Sequence, residues 1–156
     1  GAGKDEELLK RGVKLLKKIT GVEPVQTITQ KRIPSWNLRP GLAIGCKFTL
    51  RGKPAVEMLK RLLDANDQKL KSKQFDAHGN VSFGIPEYID IPGVDYDPDI
   101  KILGLEVAVT LSRPGYRIKR RKVQPKKLGI HHRINAEDAM QFMKDSFGVK
   151  IVEEGV

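Results

Sequence analysis

An α+β fold follows from two periodicities in the chain. Apolar residues recur at helical spacing in three segments and alternate at every second position in several others. Short turn-rich stretches separate these segments, so the expected architecture is a mostly antiparallel sheet with helices packed on one face. The other sheet face and its loops stay polar. With 156 residues, 39% of them hydrophobic, the chain suits a single domain with one core, assigned to residues 1–156.

Residues 4–19 place Leu8, Leu9, Val13, Leu16 and Ile19 along one side of a helix with charge between them, and Gly21 and Pro24 end it. Residues 25–29 are short and β-branched, hence a strand. Residues 31–42 hold two prolines, Gly41, the only tryptophan and three basic residues, which predicts a long exposed loop. Residues 43–51 set Ile44, Cys46, Phe48 and Leu50 against Gly45, Lys47, Thr49 and Arg51, a half-buried strand with a core face and a basic-polar face. Pro54 opens a second helix whose apolar side is Val56, Met58, Leu59, Leu62 and Leu63. Residues 74–84 read as irregular. Residues 86–99 carry three prolines, so one short strand is expected near 88–91, followed by turns.

Residues 102–111 alternate with Leu103, Leu105, Val107, Val109 and Leu111 on one face. Pro114-Gly115 turns the chain, and alternation through Arg121 predicts a hairpin with a basic outer arm. That arm, at about 113–134, grades into a flexible segment ending at Arg133. Asn135 caps a last helix, with Glu137 and Asp138 in its first turn and Ala139, Met140, Met143 and Phe147 on its apolar side. Residues 149–152 form a final strand.

The formal net charge is +10, and a small chain so unbalanced repels itself unless a polyanion is near. Its layout says more than its total. No acid lies between Glu23 and Glu57, nor between Glu106 and Glu137. The second window holds Arg113, Arg117, Lys119, Arg120, Arg121, Lys122, Lys126, Lys127 and Arg133. Between Lys73 and Lys101 the pattern reverses: six acids, Asp76, Glu87, Asp90, Asp95, Asp97 and Asp99, and no Lys or Arg. One side of such a molecule meets phosphate and the acidic side something else.

Catalysis needs a constellation, and the sequence offers poor ones. Cys46 is the only cysteine, which excludes an internal disulfide and fits a reducing cytosol; on its strand it is a small core residue. His131-His132 has no third metal ligand at a supporting spacing, so phosphate contact is the better reading. Asp95, Asp97 and Asp99 have the spacing of oxygen ligands, yet the central glycine and closing glutamate of a calcium loop are missing and Pro98 interrupts. No phosphate-cradling glycine motif or nucleophile elbow is present. No metal and no cofactor are expected. No apolar run reaches membrane-spanning length, and no membrane partner is expected. Tyr88 and Tyr116 carry no signal beyond packing.

RNA-binding features are better formed. Lys47, Thr49 and Arg51 on one strand face make a row of donors for a phosphate backbone. The loop with Lys31, Arg32, Ser35, Trp36, Asn37 and Arg39 adds cations beside an indole that either stacks on a base or packs in the core. The alternative class is a nucleic-acid-processing enzyme or a free-standing RNA chaperone.

Three motifs then carry a resemblance. Ala43-Ile44-Gly45-Cys46-Lys47-Phe48-Thr49-Leu50-Arg51-Gly52 resembles the signature strand of the protein-five family of the large ribosomal subunit, which carries 5S rRNA. Phe75-Asp76-Ala77-His78-Gly79-Asn80-Val81-Ser82-Phe83-Gly84, with Glu87, Ile89 and Pro92 after it, resembles that family's second motif. Ile19-Thr20-Gly21 and Pro24 resemble its first turn, and Arg113-Pro114-Gly115-Tyr116 with the basic arm favours the archaeal and eukaryotic branch.

The resemblance runs to about Val152. It implies a cytoplasmic, structural, non-enzymatic role in translation, in the central protuberance of the large subunit. Thr27, Lys47, Thr49, Arg51 and Lys53 would lie on 5S rRNA. The 31–39 loop would reach P-site tRNA. Arg113, Arg117, Lys119, Arg120, Arg121, Lys122, Lys126, Lys127, His131, His132 and Arg133 would touch other rRNA. Further implied partners are neighbouring 5S-binding ribosomal proteins and a small-subunit ribosomal protein across an intersubunit bridge, placed by charge on the acidic surface at 90–99. The family also begins with a further segment, ending about where Gly1-Ala2-Gly3 stand, that adds a strand to the RNA-facing sheet. Val22 replaces a glutamine common in the first turn.

Overall fold

In the computed structural model, which describes residues 1–152, the first helix, α1 (Glu6–Thr20), starts where a carboxylate can cap it. Asp5 accepts from the N–H groups of Glu7 and Leu8 at 3.0 and 3.1 Å. Glu6 and Glu7 lie in its first turn and Lys17 and Lys18 in its last, which suits the helix dipole. The last four residues of the domain assigned to 1–156 lie outside the described residues. The chain forms two compact units, Gly1–Leu62 with Pro86–Gly104, and Leu63–Ile85 with the chain from Leu105 onward.

In the first unit, β1 (Val25–Ile28) pairs antiparallel with β2 (Ala43–Lys47), and α1 packs on β2. Cys46 marks the covered face: its sulfur lies 3.2 Å from where a Cβ would stand at Gly12 of α1. Leu9, Leu15 and Ile19 fill the space beneath the helix. Leu15, absent from the expected apolar stripe, is 1% exposed. The strand expected to run to Arg51 stops at Lys47. Its final pair is Val25↔Lys47, and the residue before Val25 is Pro24, which has no N–H to extend a ladder. The next helix, α2 (Lys53–Asp64), begins as Pro54 predicts and buries Leu59, Leu62 and Leu63; Val56 stays exposed.

The strand expected near 88–91 is a 3-10 turn, Tyr88–Asp90. Its hydrogen bonds stay within its own loop. Tyr88 N–H donates to the carbonyl of Leu103 at 3.2 Å, and the Tyr88 hydroxyl, fully buried, accepts from Asp97 N–H at 2.8 Å. The loop is fastened to both helices of this unit. Lys14 pairs with Asp99 and Lys18 with Asp97, while Arg61 donates twice to the carbonyl of Pro92, at 2.8 and 3.2 Å.

In the second unit, β3 (Lys69–Lys71) runs parallel to β6 (Lys150–Val152), and β4 (Asn80–Ile85) pairs antiparallel with β5 (Leu105–Thr110). Val81, Phe83 and Ile85 face Val109, Val107 and Leu105 in register, the apolar side of a half-buried ribbon. A short helix, α3 (Arg117–Arg120), and the capped α4 (Ala136–Phe147) complete the unit; α4 packs by β4 and β6. Asn135 N–H donates to Asp138 at 3.3 Å. The α+β class therefore holds, with the strands among the described residues in three two-stranded ladders, two antiparallel and one parallel. Residues 74–84, expected to be irregular, contain most of β4. The hairpin arm expected after Pro114-Gly115 is instead the helical turn α3.

A tight turn precedes β4. The Asp76 carboxylate accepts from His78 N–H at 2.8 Å, from Asn80 N–H at 2.7 Å and from the Asn80 amide at 2.5 Å. These donors, led by the Asn80 side chain, hold the Asp76 carboxyl below its ordinary value of 3.8. A depressed carboxylate stabilises the fold above its unfolded pKa and ceases to do so as pH falls through the folded value. NMR titration should therefore find the Asp76 midpoint below 3.8, and Asp76→Ala should remove that part of the acid-side loss of stability. A midpoint at or above the ordinary value contradicts this account of the turn.

Candidate nucleic-acid interface

In the β1–β2 ribbon, directly opposed residues share a face. Gln26 and Cys46 face α1, so Val25, Thr27, Gly45 and Lys47 occupy the other side. A Cβ on Gly45 would stand 2.9 Å from the Thr27 hydroxyl, so only glycine opposite that threonine leaves room for it on this face without a shift. Beyond Lys47 the ladder has ended, yet exposure still alternates. Lys47, Thr49 and Arg51 are exposed and Phe48 and Leu50 half-buried, with Lys53 exposed at the start of α2. The basic row expected from the sequence is present, although only Lys47 stands on a paired strand. Periodicity overlooked Val25, which sits opposite Lys47 and is 65% exposed. An exposed β-branched residue at the position paired with a cation is the signal that would have added it.

The 31–39 loop is more ordered than its composition suggests. Ile33 and Leu38 exchange backbone hydrogen bonds, each at 3.1 Å, and Leu38 is buried. Between them Pro34–Trp36 forms one 3-10 turn, closed by Asn37 in the left-handed region at φ 54°. Ser35, Trp36 and Asn37 thus form a tip, with Lys31, Arg32 and Arg39 exposed at its base. Trp36 is 67% exposed, which decides between core packing and an outward indole in favour of the latter.

The basic arm lies in the second unit and is fastened at both ends. The Tyr116 hydroxyl accepts from Ile134 N–H at 2.8 Å and donates to the carbonyl of His132 at 3.3 Å. A His132 ring nitrogen meets the carbonyl of Pro114 at 2.9 Å, and the two rings meet edge-on. Arg113 pairs with Asp138 at 3.0 Å, Arg121 donates to the carbonyl of Gln124 at 2.8 Å, and Arg133 reaches the carbonyl of Leu128 at 3.4 Å. Arg113, Arg121, His132 and Arg133 therefore have partners within the chain, and the flexible segment expected up to Arg133 is a folded one. The side chains of Arg117, Lys119, Arg120, Lys122, Lys126, Lys127 and His131 are exposed and meet no partner among the described residues. The Tyr116 clasp joins residues 18 positions apart and leaves no periodic trace.

On the acidic stretch, Asp97 and Asp99 are neutralised by lysines of α1, and the contact with Lys14 holds the Asp99 carboxyl below its ordinary value. Asp90 and Asp95 make no ion pair among the described residues. Burial pushes the Cys46 thiol up, against nucleophilic use. Among the described residues no three His, Cys, Asp or Glu side chains gather as a metal set would, and no helix is long and apolar enough to cross a membrane.

The profile of the C-terminal part of the ribosomal uL5 family matches residues 43–142. The chain is 46% identical to the large ribosomal subunit protein uL5 of Nanoarchaeum equitans over 97% of its own length and 90% of that protein's. It is 46% identical to the uL5 of Sulfurisphaera tokodaii, over 98% and 87%, and 44% identical to that of Methanosphaera stadtmanae, over 97% and 90%. The matched span contains β2, the Asp76 turn and the arm, and the similarity extends through the 31–39 loop to nearly the whole chain. By these matches the chain belongs to the ribosomal uL5 family, in its archaeal branch.

Proposed function

We propose that the protein is a structural constituent of the large ribosomal subunit, in the cytoplasm, and acts in translation as an RNA-binding scaffold rather than as an enzyme. On this reading it lies in the central protuberance beside other 5S-binding ribosomal proteins. The ribbon face with Thr27, Lys47, Thr49, Arg51 and Lys53 holds 5S rRNA, and the tip with Ser35, Trp36 and Asn37, flanked by Lys31, Arg32 and Arg39, touches P-site tRNA. The arm from Arg113 to Arg133 meets large-subunit rRNA. The observation that carries this reading is the acid-free, outward row from Lys47 to Lys53 in a family member. Such a row neutralises phosphate without a carboxylate to repel it. Contact with a basic small-subunit protein fits Asp90 and Asp95, whose charges are not already taken by α1.

Purified protein should shift 5S rRNA in a gel and co-sediment with large subunits. A ribosome-free chain that cleaves RNA with metal-dependent turnover would contradict the proposal. The two surfaces of the first unit should also separate. Trp36→Ala or Arg39→Ala should weaken tRNA retention, by about 1–3 kcal/mol for the lost stacking partner, while leaving 5S rRNA affinity unchanged. Equal loss of both RNAs would show that loop and ribbon act as one surface.

A further inference from the structure

We infer that the arm is a preformed binding loop for the sugar–phosphate backbone of double-helical RNA, closed at its base by a clasp centred on Tyr116. This rests on the proposed role of the arm in rRNA contact and says which RNA form it takes and what positions it. Two observations carry it. The first is the clasp. The start of the arm, at Pro114 and Tyr116, is joined to its end, at His132 and Ile134, by three hydrogen bonds and an edge-on ring contact. Inside the closed loop, Lys126 N–H donates to the carbonyl of Ile118 at 3.1 Å, which folds the far limb back onto α3. The second is what the loop displays. Residues 117–131 expose Arg117, Lys119, Arg120, Lys122, Lys126 and Lys127, and contain no acid and no Phe, Tyr or Trp.

A surface with cations and no stacking platform suits phosphates in a duplex, whose bases are already stacked, better than the splayed bases of a single strand. The Trp36 tip has the opposite chemistry. Closing the loop before binding removes the ordering cost that a disordered basic tail would meet on contact. Tyr116 is therefore a positioning residue: it touches no RNA and sets the spacing of the side chains that do. Because the His132 ring bonds to a carbonyl, its nitrogen facing Pro114 must carry a proton, and the neutral ring can serve.

The test uses the full chain carrying Lys47→Ala, Arg51→Ala and Trp36→Ala, so that both the ribbon face and the stacking tip are silenced, with a fully paired RNA duplex and a single strand of equal length as probes. The duplex should bind more tightly. Lys126→Ala with Lys127→Ala should flatten the salt dependence of log affinity by about two. Tyr116→Phe removes no charge, so it should leave that slope unchanged while raising Kd about threefold to tenfold and speeding hydrogen exchange at the Ile134 amide. His132→Phe, which keeps an edge-on ring but loses the donor to Pro114, should move Kd in the same direction and serves if Tyr116→Phe fails to fold. Tighter binding of the single strand overturns the assignment of duplex RNA. Faster exchange at Ile134 with an unchanged Kd overturns the positioning role of the clasp. A slope indifferent to Lys126 and Lys127 would instead overturn the RNA-contact reading of the arm on which the inference stands.

Discussion

Replacing Lys47 and Arg51 together by alanine should weaken 5S rRNA binding roughly a hundredfold, from about 1.5 kcal/mol for each lost charge-assisted contact. It should also lower the slope of log affinity against log salt by about one per cation. Both side chains are exposed and lie in an extended segment that starts from a paired strand, so little ordering cost offsets their contacts. Lys144→Ala, which removes one cation from the exposed side of α4 where the double variant removes two from the ribbon face, should leave both quantities nearly unchanged. Filter binding at several salt concentrations reads the two together. If the double variant and Lys144→Ala prove indistinguishable, net charge and not the ribbon face governs binding.

Gly79→Ala should cost about 3 kcal/mol of stability, and lower Tm by roughly 10 °C for a chain of this size. Two causes add. Gly79 has φ +74°, where an L side chain costs about 1–2 kcal/mol. A Cβ there would also overlap Cγ2 of the buried Ile134 and stand 3.0 Å from its Cβ, an overlap that typically costs about 1–3 kcal/mol to relieve. Ile134 gives its N–H to Tyr116, so displacing it also strains the clasp of the basic arm. Urea unfolding measures the first effect and exchange of the Ile134 amide the second. Wild-type stability for Gly79→Ala would mean that the turn holding Asp76 and Asn80 is looser than its hydrogen bonds indicate.

What the sequence disclosed and what it hid have physical reasons. The three long helices were legible because each combines an apolar stripe with an end signal: Gly21 and Pro24 for α1, Pro54 for α2, Asn135 and Gly148 for α4. β5 was legible from Leu105, Val107 and Val109. β4 was not, because its alternation is diluted by Asn80 and Gly84 and begins at once after a turn. α3 has four residues, too few to show a helical period, and its alternating Ile118 and cations imitate a strand. The overlong estimate for β2 has a similar origin. Exposure alternates as far as Arg51 because the chain stays extended, but a strand needs a partner, and Pro24 ends the supply. In the candidate interface, the basic row and the exposed 31–39 loop were legible from charge and composition, whereas composition left Trp36 open between stacking and core packing, and its exposure in the fold decides it. The intrachain partners of Arg113, Arg121, His132 and Arg133 were not, since a hydrogen bond from Ile134 to Tyr116 depends on how distant segments meet.

The central claim is that the ribbon face of the first unit rests on 5S rRNA within the large ribosomal subunit. A density map of the assembled subunit tests it most directly. The account predicts 5S rRNA density along Lys47, Thr49 and Arg51, with side-chain nitrogens about 2.7–3.2 Å from phosphate oxygens. Solvent, or a protein surface with no RNA within reach of these three residues, would contradict it.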